Sequence, residues 1–142
     1  MDKTLDTVLL MLEGSTITLE IFCVTLALSL PLGLFAALGR LSRFRLLSRL
    51  LEIYIWIMRG TPLMLQLLFV YFALPMVGIL LPDIAAALLA FVLNYAAYFA
   101  EIFRSGIQAI PRGQFEAARA LGMSAPLTMR RIVLPQVLRI TL

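Results

Sequence analysis

Three apolar stretches, each long enough to cross a bilayer and each bordered by arginines or by a turn, constrain this chain more than any other feature. They are residues 15–39, 55–79 and 84–103. A hydrocarbon core of about 30 Å takes about 20 apolar residues as helix. Lipid offers no partner to a free backbone N–H or C=O, so a single apolar segment crosses as a helix. The composition agrees: 62% of residues are hydrophobic and only 14% are charged, where a soluble domain carries about 25% charged residues. The expected fold class is an all-α membrane protein with three transmembrane helices.

The order of charges along the chain sets the expected topology. Segment 15–39 holds one charge, Glu20, near its start, and Ser15 after Gly14 suits an N-cap. Pro31 and Gly33 are tolerated in a membrane helix. Arg40, Arg43, Arg45 and Arg49 follow at once, which places that loop in the cytoplasm and the N-terminus, with Asp2, Asp6 and Glu13, outside. In the second segment Tyr54 and Trp56 suit an interfacial belt, and Arg59-Gly60-Thr61-Pro62 interrupts the apolar run as a structural break rather than a substrate contact. Pro82-Asp83 makes an outer turn. Six arginines lie between positions 104 and 139, with only Glu101 and Glu116 as nearby acids, so residues 104–135 are cytoplasmic. An apolar pattern restarts at residues 136–142, as the beginning of a further helix.

Several chemistries are disfavoured. The single cysteine, Cys23, forms no disulfide within the chain and reads as a small buried hydrophobe. Without histidine or a cysteine pair, a transition-metal site is not expected. No catalytic constellation appears, and no GxxxxGK[ST] loop that would bind ATP. The arginines cluster beside apolar segments, which points to lipid and topology rather than nucleic acid. The start of the chain lacks a basic region and its first apolar run is too long for a cleavable signal, so targeting rests on the first membrane helix.

The polar stretch Glu116–Pro135, EAARALGMSAPLTMRRIVLP, reads as an elbow. Residues 114–121 are good helix formers, Pro111 opens the turn before them, and Gly122 fits the left-handed position that ends a helix. Ser124 suits the cap of a second helix with Pro126 in its first turn, Arg130 and Arg131 fall in its last turns, and Pro135 is expected to stop it. Small alanines at 117, 118 and 120 allow a partner to approach closely, and Glu116 offers a charge. In the third segment Asn94, Tyr98, Glu101 and Ser105 share one helical face. That face has two readings, a translocation pathway or interhelical hydrogen bonds at about 0.6 kcal/mol a contact. Glu101 can also pair with Arg104 at i+3.

Glu116-Ala117-Ala118, three residues, Gly122, nine residues, then Ile132-Val133-Leu134-Pro135 resembles the EAA loop of ABC transporter inner-membrane permeases. Arg59-Gly60-Thr61-Pro62 with Gln66, and Asn94-Tyr95-Ala96-Ala97-Tyr98 with Glu101-Ile102-Phe103-Arg104, are similar to the polar amino acid (histidine, glutamine and arginine) subfamily. The resemblance implies a permease subunit of an ATP-driven importer in the bacterial inner membrane. Its EAA loop would dock on a cytoplasmic ATPase subunit through Glu116, Ala117, Ala118, Arg119 and Gly122, with Asn94, Tyr98 and Glu101 facing the substrate pathway. It further implies a second permease copy or paralogue and an extracytoplasmic amino-acid-binding protein as partners. ATP and Mg would be used by the ATPase, no cofactor would be bound by this chain, and the chain would not be an enzyme. Family members carry five membrane helices, so residues 1–142 are expected to be one incomplete permease domain, C-terminally truncated. The alternative is a non-transporting fragment or scaffold that only binds the ATPase.

Overall fold

A helix that enters lipid has no reason to stop until its sequence forces it to, and the first helix runs far beyond the expected start. The structure, a computed structural model, describes residues 2–141, and the side chains of 7–141. The side chains of Asp2, Lys3 and Asp6, which bear on the expected outward N-terminus, lie outside the described residues. Helix α1 spans Asp2–Arg40. Ser15 is therefore not an N-cap but an interior residue. Its Oγ donates to Met11 O at 2.7 Å, and Thr16 and Thr18 likewise donate to Leu12 O and Gly14 O at 2.9 Å. Hydroxyls that bond back to the i−4 carbonyl are satisfied inside a helix, so Gly14-Ser15 need not begin one. Cys23 is exposed on the surface of α1 rather than buried.

The second apolar segment is two helices, not one continuous span over 55–79. Helix α2 spans Arg45–Gly60 and α3 spans Leu63–Met76, with 107° between them. Pro62 has no N–H to continue the ladder and pushes the residue before it away from helical dihedrals. Thr61 accordingly sits at φ −116°, ψ 145°. Helix α4, Asp83–Ala109, starts within a residue of the expected position but runs past Phe103 until Ile110 turns extended before Pro111. By length and composition α1 (from Thr7) and α4 are candidate membrane spans, and α2 with α3 is a third if a bent pair counts as one.

The elbow follows as α5 (Arg112–Ala120), the short α6 (Ala125–Thr128), a π-helical turn (Met129–Val133) and α7 (Leu134–Thr141). Pro135 does not stop the second arm. The helix passes through it by widening first: the Leu134 N–H reaches Met129 O, five residues back. Gln136 Nε2 then donates to Ile132 O at 2.9 Å. The apolar pattern expected to open a new helix at 136 is thus continuous with the elbow's own second arm. Among the described residues every regular element is helical.

Small residues set the closest packing. Thr25, Ser29, Gly33 and Ala37 recur every four residues on α1 and are all buried. They face α4, whose Ala86, Ala90, Ala96, Ala97 and Ala100 are buried in turn. Membrane helices associate through such stripes because backbones can approach closely. A Cβ on Gly33 would lie 2.5 Å from Phe99 Cβ and 3.0 Å from Ala96 O. At the other end of α4, Phe103, Ile107 and Ile110 form one core with Ala37 of α1, Val133 of the π turn and Val137 of α7. This core fixes the elbow to α4.

Candidate functional site

The elbow corner is built by one glycine. Gly122 has φ +70°, a conformation that costs other residues about 1–2 kcal/mol. Its N–H donates to Arg119 O at 2.9 Å and the Met123 N–H to Ala118 O at 3.0 Å. These are the two bonds of a Schellman motif, so the expected left-handed ending of the first arm is present. Ser124 occupies the N-cap position of α6 with extended dihedrals, but its side chain makes no capping bond. Its carbonyl instead accepts the Thr128 N–H at 2.9 Å and Thr128 Oγ1 at 3.0 Å.

Burial divides the expected docking residues. Glu116, Ala117, Arg119 and Ala120 are exposed, and Gly122 is exposed at the corner. Ala118 is 1% exposed and faces the protein's own core. Its side chain therefore lies off the open surface of α5, unlike those of Glu116, Ala117 and Arg119. The sequence reading passed over Leu121, which is 80% exposed beside Gly122. A large apolar residue at the last helical position before a left-handed glycine, in an otherwise polar arm, is the signal that would have found it.

The polar face of α4 is divided in the same way. Asn94 is buried at 4% exposure. Its Nδ2 donates to Met58 O and to Gln66 Oε1, both at 3.0 Å. Glu101 lies in an ionic junction: Arg40 Nη1 reaches its Oε2 at 2.9 Å and Arg40 Nη2 reaches Glu52 Oε1 at 3.2 Å. Arg104 pairs with Glu101 through both Nε and Nη2, the expected i+3 contact. Ser105 donates to Ile102 O at 2.9 Å and is exposed. The Tyr98 ring is half-exposed beneath the Arg59 guanidinium at 5.5 Å. Interhelical bonding thus accounts for Asn94 and Glu101, while Tyr98 and Arg59 are left on the open side.

Arg40, Glu52, Ile55, Trp56, Arg59 and Glu101 border a cavity of about 370 Å³. The sequence reading missed Arg40 and Glu52 as members of this site, having assigned Arg40 to topology. Tyr54, read as interfacial, donates its hydroxyl to Leu93 O at 2.5 Å and so ties α2 to α4.

A helical protein with two helices long and apolar enough to cross a membrane, a bent helix pair between them and an exposed basic elbow is the class these features define. Residues 29–142 match the family described as binding-protein-dependent transport system inner membrane component, and the chain belongs to that family. It is 44% identical over 131 residues to a probable amino-acid ABC transporter permease protein of Bacillus subtilis (strain 168), covering 92% of this chain and 58% of that protein. It is 43% identical to the arginine transport system permease protein of the same organism, covering 94% of this chain and 61% of that one. A putative glutamine transport system permease protein of Rickettsia bellii (strain RML369-C) is 39% identical, with 93% and 61% covered. Among solved structures, one of an amino acid ABC transporter with histidines superposes with a TM-score of 0.78 at 36% identity, covering 94% of this chain and 65% of that chain. The chain spans about three fifths of the length of the curated relatives it matches.

Proposed function

We propose that this chain is the permease part of an ATP-driven ABC importer for polar amino acids, and that its elbow is where a cytoplasmic ATPase subunit pushes on it. The observation that carries the reading is the elbow itself. At the spacing of the EAA loop, Glu116, Ala117 and Arg119 stand exposed on a short helix held at a left-handed Gly122. The core of Phe103, Ile107, Val133 and Val137, with Phe115 of α5 packed against it, joins both arms to α4, so force on the elbow reaches the membrane helices. The relatives named for arginine and glutamine transport favour a polar amino acid as cargo.

In this reading α1, the bent α2–α3 pair and α4 are three spans of a five-helix permease fold in the bacterial inner membrane. The N-terminus lies outside and the elbow lies in the cytoplasm, as the arginine-rich loops favour. The working importer adds a second permease copy or paralogue and an extracytoplasmic amino-acid-binding protein. ATP and Mg belong to the ATPase. Arg59, on the cavity beside the α2–α3 corner, and the half-exposed Tyr98 ring beneath it are better placed for substrate than the buried Asn94 or the ion-paired Glu101.

The test uses the full-length permease assembled with its ATPase. Glu116→Lys and Gly122→Val should each abolish ATP-driven amino acid uptake while membrane insertion and abundance stay at the wild-type level. Normal uptake by both variants would sink the proposal. Retained ATPase binding by a wild-type complex that transports nothing would favour the scaffold alternative.

A further inference from the structure

Where α2 stops at Gly60, its last carbonyls lose the donors that a continuing helix would supply. Two side-chain amides replace them. Met58 O accepts Asn94 Nδ2 at 3.0 Å and Gln66 Nε2 at 2.9 Å. Gln66 Nε2 also reaches Thr61 O at 3.2 Å and Thr61 Oγ1 at 2.7 Å, while Gln66 Oε1 accepts Asn94 Nδ2 at 3.0 Å. Thr61 Oγ1 donates onward to Ile57 O at 2.8 Å. The network joins the end of α2, the start of α3 and the middle of α4. Both amides donate to oxygen acceptors, so a carboxylate at either position would meet carbonyl oxygens with no hydrogen to give.

We infer that Asn94 and Gln66 are positioning residues: they hold the 107° corner between α2 and α3 against α4, and act on transport through that corner rather than through the elbow. The transport half of this inference rests on the importer reading above. The two ends of α4 are separable. Asn94 lies about 13 Å along the helix from Phe103, at 1.5 Å a residue, and Phe103 is where α4 joins the elbow core. None of the elbow's residues enters the amide network. Tyr98 lies one helical turn from Asn94 and Arg59 follows Met58 directly, so the corner's angle sets where they stand.

The experiment reads the corner and the transport separately. In the full-length permease reconstituted with its ATPase and carrying Cys23→Ser, spin labels replace Trp56 on α2 and Phe72 on α3, both exposed. Their dipolar distance distribution should be narrow in the parent and in Glu116→Lys, and should broaden or shift in Asn94→Asp and Gln66→Glu. With radiolabelled L-arginine and L-glutamine as probes, the two corner variants should raise the half-saturating concentration roughly tenfold, as one uncompensated hydrogen bond would. Basal ATPase activity of the assembled complex should not change. An unchanged distance distribution in both variants overturns the inference, and so does an altered distribution with unaltered half-saturation. Should Asn94→Asp fail to assemble, Gln66→Glu, on a half-buried position of α3, carries the same comparison. If the parent takes up neither amino acid, the importer reading and the transport half of the inference fall together. The hold on the corner is then decided by the distances alone.

Discussion

Replacing Gly33 by alanine should force α1 and α4 apart, and the structure gives the size of the effect. The added Cβ would lie 2.5 Å from Phe99 Cβ, 3.0 Å from Ala96 O and 3.1 Å from Ala100 N. None of these atoms is the free end of a flexible side chain. Carbon atoms settle at about 3.5–4.0 Å, so α1 must withdraw by about 1–1.5 Å. A gap of 0.5–1 Å already forfeits about a quarter to a half of a contact's attraction, and here it extends along Thr25, Ser29 and Ala37. Overpacking of this kind costs about 1–3 kcal/mol, and contact with backbone atoms places Gly33 in the upper part of that range. Against it stands the helix preference of alanine over glycine, about 1 kcal/mol. The net expectation is a loss of about 1–2 kcal/mol. Gly14, on the same helix, has nothing within 4 Å of its would-be Cβ. Gly14→Ala should therefore show only the gain, about 1 kcal/mol, leaving the two variants about 2–3 kcal/mol apart. Unfolding of the full-length permease by sodium dodecyl sulfate in mixed micelles, followed by far-ultraviolet circular dichroism, measures the difference. If Gly33→Ala is as stable as Gly14→Ala, close helix approach is not what joins α1 to α4.

Three further outcomes follow from single contacts. Gly122→Val forces a branched residue to φ +70° at about 1–2 kcal/mol, so the Met123 amide should exchange with solvent roughly ten times faster as its bond to Ala118 O opens; wild-type protection would refute the account of the corner. Ala118→Leu should lower the melting temperature, because overfilling a site 1% exposed costs about 1–3 kcal/mol, while Ala117→Leu on the exposed side should stay within about 0.5 kcal/mol of the parent; equal effects would place Ala118 outside the core. Glu101→Ala should destabilise more than Arg40→Ala, about 2–3 against about 1 kcal/mol, since Arg104 still pairs with Glu101 when Arg40 is gone, whereas removing Glu101 takes the carboxylate from Arg104 and leaves Arg40 with Glu52 alone; a reversed order in detergent melts would refute this.

The sequence was most legible where one residue type allows one conformation. Gly122 at a left-handed corner, Pro62 at a break and Pro111 before α5 each act through their own backbone, and each is where composition put it. The start of α4 was legible because its flank, Pro82, is of the same kind, but its end was expected at about Phe103 and lies at Ala109, before Pro111. Failures came where a neighbour decided. Ser15 has the chemistry of a cap, yet a hydroxyl in an apolar helix is equally content with the carbonyl four residues back. Pro135 has the chemistry of a stop, yet the preceding π turn lets the helix pass through it. Ala118 and Ala117 are chemically identical, and only the docking of α5 on the core separates them. The break at Thr61-Pro62 could be read from the chain, but not its 107°, because that angle depends on amides from residues 66 and 94.

What distinguishes α4 is that every candidate element of the site is attached to it and to no other helix in common. Its first half carries the alanines that accept α1, its middle carries Asn94 and the Leu93 carbonyl that receive α2, its last turns carry Glu101 and Arg104 for the ionic junction, and its end carries the core that holds the elbow. The attachments differ in kind. Those to α1 and the elbow are apolar and close-packed, so they resist sliding, because interiors of this density transmit displacement rather than absorb it. Those to the α2–α3 corner combine the apolar contact of Ile55 with Ala97 and Ala100 with hydrogen bonds of Tyr54, Asn94 and Gln66, which can exchange partners; the ion pair of Arg40 with Glu101 adds a polar tie between α1 and α4. A push on the elbow would therefore move α5, α7, α4 and α1 together. The corner, where exchangeable hydrogen bonds take a larger share of the contact, is where that body and the rest of the chain would shift relative to each other.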